Sequence, residues 1–330
     1  MNSTTLPTIT ILAPRVLTTT TNTNRHGRPT LVVVTGPTGI GKTDLSIRLA
    51  KALNTVIISS DSRQIYREIK IGTAAPSPEQ LAAVPHYMIG SHSVHDYYNA
   101  YEYEQDALKL LASIFEEKET ALLVGGSMMY IDALCNGIDD LPTISQEVRS
   151  LVMDLYHSKG LEFLQEELLK LDPIFYGEID LKNPKRVIHA IEVCYMTGGP
   201  YSALRTQTVR ERPFNILRIA LDMDRDQLYQ RINQRVEAMM AEGLEAEARA
   251  FYPLRHLNAL NTVGYKELFS HFDGELTLPE AVDLIKRNSR RYAKRQLTWF
   301  RRDNSYNWFQ PNQQEEIIQF VQENTSAPVI

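Results

Sequence analysis

Cysteine is scarce in this sequence, long apolar runs are missing, and neither sign of charge dominates. The two cysteines, Cys135 and Cys194, are spaced for neither a zinc site nor a redox pair. A disulfide scaffold is therefore excluded, and two buried thiols in a reducing compartment are expected. No stretch approaches the roughly 18 apolar residues of a membrane span, so a soluble, cytoplasmic protein with no membrane partner is expected. A formal net charge of -5 gives no whole-chain attraction to nucleic acid. Any such partner must be met by local clusters of Lys and Arg. There is no internal repeat, and compositional bias is confined to residues 1–28, which are Thr-rich, carry Arg15, Arg25 and Arg28, and contain no acid. They read as a disordered N-terminal tail, because their apolar piece (residues 9–12) is too short for a secretory core. The 330 residues are 43% hydrophobic and 23% charged, enough for a packed core in two domains or in one large domain with an insertion.

Strand and helix signals then alternate. Residues 30–35 (TLVVVT) are short, β-branched and apolar on both faces, the pattern of a buried parallel strand. A Gly-rich turn follows, then a helix over about 43–53, a strand over 55–59, a helix over 103–117 and a strand over 120–124. This alternation predicts a parallel sheet covered by helices. From about Pro142 to Gln207 apolar residues recur at helical spacing only, as in Val148, Leu151, Val152 and Leu155. Strand character returns at 216–221. Asp224 then stands as the N-cap of a long helix ending near Gly243, and Thr277 with Glu280 has the spacing of a capping box opening another helix to about Arg302. The expected organisation is an α/β core over 29–141, a helical insertion over 142–207 and the core's continuation, with basic helices, over 208–330.

Residues 36–43 read GPTGIGKT, a full match to G-x-x-x-x-G-K-[ST] placed directly after a buried strand and before a helix. Gly36, Gly39 and Gly41, with Pro37, Thr38 and Ile40 between them, allow backbone amides to turn around an anion at a helix N-terminus. Lys42 adds a point charge, and Thr43 a hydroxyl suited to Mg²⁺. A chance Gly-rich turn would not match eight positions in this context. The motif predicts a P-loop fold and a di- or triphosphate ligand; it does not specify the reaction.

Two neighbouring strand ends carry polar groups to the carboxyl edge, where open α/β sheets bind ligands. The first ends in SSDSRQIY (59–66). Asp61 there could be a turn residue, a metal ligand or a general base, and Asp61-Ser62-Arg63-Gln64 is rich in groups that hydrogen-bond nucleobases. The second ends in LLVGGSMMY (122–130), with Gly125-Gly126-Ser127 where a Walker-B strand would end in Asp. Ser127 reads equally well as a site hydroxyl or as a plain helix N-cap.

These pieces, with IGTAAPS (71–77), NPKRVIHAIEV (183–193), LYQRINQRVEAMMAEG (228–243), NTVGYKEL (261–268) and YAKRQLTWFRR (292–302), occur in the order found in the tRNA dimethylallyltransferase family, which the chain resembles over about residues 30–302. The resemblance implies transfer of a dimethylallyl group from dimethylallyl diphosphate to N6 of the adenosine 3′ to the anticodon. It implies Asp61 as general base, Lys42 and Ser127 as further catalytic groups, and Mg²⁺ at Thr43. Diphosphate would be held by residues 36–43 with Arg231 or Arg235, which share one helix face. It assigns to tRNA Asp61, Ser62, Arg63, Gln64, Ser127, Arg149, Lys185, Arg186, Val187, Ile188, His189, Asn261, Thr262, Val263, Gly264, Tyr265 and Lys266. The target base would be unstacked into a pocket. Ser127 stands where many members carry Thr, which keeps the hydroxyl; His189 stands where many carry Arg, which weakens that phosphate contact. A monomer is expected.

Residues 286–302 (KRNSRRYAKRQLTWFRR) support an RNA partner independently, with eight Lys or Arg, no acid, and Tyr292, Trp299 and Phe300 interleaved. A solvated helix with inward aromatics would give the same aromatic pattern but not an unbroken basic face in an acidic protein. Three competing functions are weaker. A small-molecule kinase is disfavoured by the glycine strand tip and the basic helix. A prenyltransferase acting on free adenine nucleotide has no use for the helical insertion. A non-catalytic RNA-binding module has no use for Lys42, Thr43 and Asp61.

Overall fold

The computed structural model describes residues 27–206 and 208–325. The expectation for the N-terminal tail falls outside these residues except at Gly27 and Arg28; the Arg28 carbonyl accepts from Asn215 Nδ2 at 3.2 Å. In chain order the elements are β1 (Thr30–Thr35), α1 (Lys42–Ala52), β2 (Ile57–Ser59), α2 (Pro78–Ala83), β3 (His86–Tyr87), α3 (Ala100–Glu117), β4 (Thr120–Val124), α4 (Met128–Asn136), α5 (Gln146–Leu171), α6 (Pro173–Glu178), α7 (Pro184–Thr197) and α8 (Tyr201–Leu204). There follow β5 (Asn215–Leu221), α9 (Arg225–Ala241), α10 (Leu244–Phe251), α11 (Tyr265–Phe272), α12 (Leu278–Phe300), β6 (Tyr306–Phe309) and α13 (Gln314–Thr325).

The six strands form one parallel sheet in the order β3-β2-β4-β1-β5-β6. All of β1 is buried because strand periodicity sends alternate side chains into two separate cores. Leu31 and Val33 join Ile58, Ala121 and Leu123 in a core completed by α3, α4, α10 and α11. Val32 and Val34 join Ile57, Leu122, Ile219 and Leu221 in a second core closed by α1, α9 and α13. A third apolar cluster, around Val152, Leu164, Leu168, Val187 and Ile191, is drawn from α5, α6 and α7.

Where the chain re-enters the sheet after α8, Arg212 is buried and its guanidinium donates to Glu104 of α3 at 2.5 Å and to the Leu134 and Ala133 carbonyls at the end of α4. Glu104 is fully buried, so this pair fixes the return of the chain against two core helices. Both cysteines are buried and unbridged, and burial pushes the Cys135 thiol up to about 12. Among the described residues no helix is long and apolar enough to cross a membrane.

Candidate active site

The loops after β1, β2 and β4 meet at the carboxyl edge of the sheet and line two cavities. The first, of about 390 Å³, lies over the glycine turn between β1 and α1 and is lined by Thr38, Gly39, Gly41, Lys42 and Thr43 from the turn itself. Gly36 and Pro37 contribute carbonyls instead, both accepting from Lys42 Nζ at 2.9 Å. The Ile40 side chain is fully buried, and its amide donates to Pro37 O at 3.3 Å. Gly41 sits at φ +99°, where a side chain is strained, and a β-carbon there would lie 3.1 Å from the Arg231 guanidinium. Arg231 and Arg235 of α9 therefore both reach the turn, for Arg235 Nη1 also donates to Thr38 Oγ1 at 3.3 Å.

Three basic side chains, Lys42, Arg231 and Arg235, thus face a space lined by two carboxylates, Asp44 in the first turn of α1 and Asp61 just past the end of β2. Burial, reinforced by Arg235, draws the Lys42 pKa down from 10.5 to about 7, with Asp61 opposing. Burial also lowers the Arg235 pKa. Charge of this kind held away from water calls for an anion.

Asp61 serves the local turn with one oxygen, Oδ1 accepting from the Arg63 and Gln64 amides at 2.9 and 3.3 Å. The residue also lines the second cavity, of about 420 Å³. The two cavities share Thr38, Asp61, Arg235 and Tyr292 as lining, so they meet at this carboxylate. Ser127 lines the second cavity. Its hydroxyl does not cap α4; it accepts from the Ser62 amide at 2.8 Å and donates to Ser62 Oγ at 3.1 Å.

Most of the residues expected at RNA gather around this second cavity: Asp61, Ser62, Arg63, Ser127, Lys185, Asn261, Thr262, Val263, Gly264 and Lys266. Others do not. Gln64 lines the first cavity and spends its amide on the Thr73 and Ala74 carbonyls, at 3.2 and 3.0 Å. Arg63, although it lines the second cavity, spends its guanidinium on the Asn258 and Ala259 carbonyls. Arg186 and His189 line a separate cavity of about 550 Å³ between α7 and the end of α4, and Arg149 pairs with the buried Glu192 at 3.6 Å.

Two expectations need correction. Val187 is fully buried in the third cluster, because it lies on the inward face of α7. Tyr265 is fully buried as well, and its hydroxyl donates to Glu247. Neither side chain is available to RNA. Ile188 is half-buried against the same cluster as Val187.

The sequence reading missed three contributors. Tyr292 borders both cavities, and burial with Asp61 nearby pushes its hydroxyl up to about 12. Gln296, one turn further on, accepts from the Thr38 amide at 2.9 Å and donates to the Gly126 carbonyl at 2.8 Å, tying the glycine turn to the tip of β4. Thr73 lines the second cavity. Their i, i+4 placement within α12 was the available signal for Tyr292 and Gln296.

Comparisons with known proteins point to one family. The family model described as IPP transferase matches residues 64–303. A tRNA dimethylallyltransferase 1 of Bacteroides thetaiotaomicron is 56% identical over 293 residues, covering 89% of this chain and 95% of the relative. The solved tRNA isopentenylpyrophosphate transferase of Bacillus halodurans superposes with a TM-score of 0.67 at 37% identity, covering 90% of this chain and 97% of the other. A eukaryotic dimethylallyltransferase solved while acting on tRNA shares the fold, with a TM-score of 0.72 at 22% identity over 89% of this chain and 80% of that one.

Proposed function

This chain belongs to the IPP transferase family, and from that premise we propose that it transfers a dimethylallyl group from dimethylallyl diphosphate to N6 of the adenosine at position 37, 3′ to the anticodon of tRNA. The observation that carries the reading is the meeting of a cationic phosphate cradle and a polar second cavity at one carboxylate, Asp61. A donor diphosphate in the first cavity and an unstacked adenine in the second would bring the allylic carbon and N6 together beside Asp61.

The exocyclic amine is a weak nucleophile, because its lone pair is delocalised into the ring. As the N6–carbon bond forms, the allylic carbon–oxygen bond breaks, the N6 proton passes to Asp61, and diphosphate leaves with the bonding pair. Lys42, Arg231 and Arg235 stabilise the charge that grows on the departing oxygen. Ser127 and Ser62 offer hydroxyls to the base.

Mg²⁺ fits this donor set. Thr43 offers a hydroxyl and the diphosphate its own oxygens, the usual manner of Mg²⁺ at phosphates. Among the described residues no group of three or more His, Cys, Asp or Glu could hold a metal alone. When bound, the ion adds to neutralisation of the leaving group. The lining of both cavities comes from one copy of the chain, which supports a monomer, and a tRNA substrate supports work in the cytoplasm.

A transfer assay tests the reading: labelled dimethylallyl diphosphate with tRNA, and parallel arms with ATP and with AMP as acceptor. Label moving only to tRNA supports it; phosphoryl transfer from ATP or prenylation of AMP removes it. Asp61→Asn keeps the acceptor oxygen that the turn uses. It is expected to slow transfer by about 10²–10⁴-fold while filter binding of tRNA stays within a few-fold of the parent. Full turnover in that variant would take Asp61 out of the chemistry.

A further inference from the structure

Three successive backbone amides and one buried phenol converge on a carboxylate of α10, that of Glu247. Its Oε2 accepts from the Lys70 and Ile71 amides, each at 2.9 Å, and its Oε1 from the Gly72 amide at 2.8 Å and the Tyr265 hydroxyl at 2.5 Å. Four donors use both oxygens of an acceptor-only group, and the consecutive amides form a nest around its charge. The fit is close: a β-carbon at Gly72 would lie 2.6 Å from the Tyr265 ring.

The same loop continues into the site. Gly72 and Thr73 line the second cavity alongside Asp61. The Thr73 and Ala74 carbonyls accept both hydrogen bonds of the Gln64 side-chain amide, and the Gln64 backbone amide donates to Asp61 Oδ1 at 3.3 Å. Ala74 is held at φ +46°, an uncommon value for a residue with a side chain, so the loop is fixed from both sides. Hydrogen bonds, joined by the covalent backbone of residues 70–74 and by Gln64, connect Glu247 to Asp61.

We propose that Glu247 is a positioning residue for the acceptor side of the site, setting the loop wall that receives the adenine and the orientation of Asp61. The inference rests on the transferase reading, with Asp61 as base. It accounts for the IGTAAPS stretch, and it explains why Tyr265 is buried in a segment whose neighbours line the cavity.

The test compares the full chain with Glu247→Gln and Tyr265→Phe under steady-state prenylation of tRNA, with active-site titration to count folded enzyme. Glu247→Gln places an amide NH₂ among N–H donors and should open the nest. Its kcat per active site is expected to fall by about 10²-fold, the scale of an approximately 1 Å misplacement, with KM for dimethylallyl diphosphate within about twofold of the parent. Tyr265→Phe keeps the ring and three of the four donors, so kcat should fall by roughly threefold to tenfold, the worth of one hydrogen bond.

A merely structural role predicts a lower melting temperature and fewer active sites at unchanged kcat per site; that result overturns the proposal. If Glu247→Gln does not fold, a parental kcat in Tyr265→Phe overturns it equally. Transfer to tRNA by the parent chain is the control. Its absence would condemn the transferase reading, whereas its presence with normal variants would condemn Glu247 alone.

Discussion

Lys42 turns its ammonium onto the carbonyls of its own loop and has a pKa of about 7, so near neutrality it is only partly charged. A diphosphate beside it would favour the cation and raise that value. Between pH 7 and the raised value, binding must take up as much as one proton, and affinity must weaken as pH rises, by about tenfold per unit at most. The ester's own phosphate proton, with a pKa of about 6, is already gone in that window. Calorimetry of dimethylallyl diphosphate binding at pH 8, in buffers of different ionisation enthalpy, should register this uptake. Lys42→Met should abolish it along with most of the affinity; proton release or a flat profile from pH 7 to 9 would refute the account. The turn that presents Lys42 was legible from eight letters, because glycine spacing and the lysine are themselves the mechanism. Ser127 was not, since a serine opening a helix reads the same whether it caps or not. Only the position of the Ser62 amide shows where its hydroxyl goes.

At the scale of elements, runs of apolar residues announced β1, β4 and β5, and capping residues announced α9 and α12, whose caps Asp224 and Thr277 accept the expected amides. The edge strands β3 and β6 escaped, being only two and four residues long with exposed or half-buried positions that dilute any period. The helical stretch from Val148 onward is less regular than its periodicity suggests. Within α5, Gly160 adopts φ +84° and ψ +179°, a conformation open essentially to glycine alone. It breaks the helix, so that Val152 on one side and Leu164 and Leu168 on the other meet in one cluster. Nothing within 3.8 Å would obstruct a β-carbon there. Gly160→Ala therefore isolates backbone strain from crowding. It is expected to destabilise the fold by about 1–3 kcal/mol, read as a lower urea midpoint, with donor binding unchanged. An undiminished midpoint would mean that the break is not required.

Across the whole molecule the basic run at 286–302 is thinner than its letters imply. Lys286 pairs with Glu237 at 2.8 Å, Arg290 donates to Asn233, Arg301 is held by Asp222, and the Arg302 guanidinium lies over the Trp299 ring. The inward face of the same helix carries Tyr292 and Gln296 to the active site, which charge counting could not foresee. Arg295 lines the acceptor cavity with its guanidinium over the Tyr292 ring, so what remains for a phosphate backbone is a stripe of exposed Arg287, Arg291 and Lys294, spaced to share one face of α12. Because α12 lines both cavities with its inward face, RNA gripped by this stripe would cross the helix on its outer side, with Arg295 placed between the stripe and the acceptor cavity. Each neutralised phosphate releases counterions, so the logarithm of tRNA affinity should fall linearly with the logarithm of salt concentration. Replacing all three residues with Gln should flatten that slope by about 0.7–0.9 for each phosphate that the variant no longer neutralises. KM for dimethylallyl diphosphate should hold. Lys286→Gln removes a side chain already engaged by Glu237 and is expected to leave the slope as it was. If the triple variant keeps the parental slope, the tRNA backbone lies on another face, and α12 serves only to build the cavities behind it.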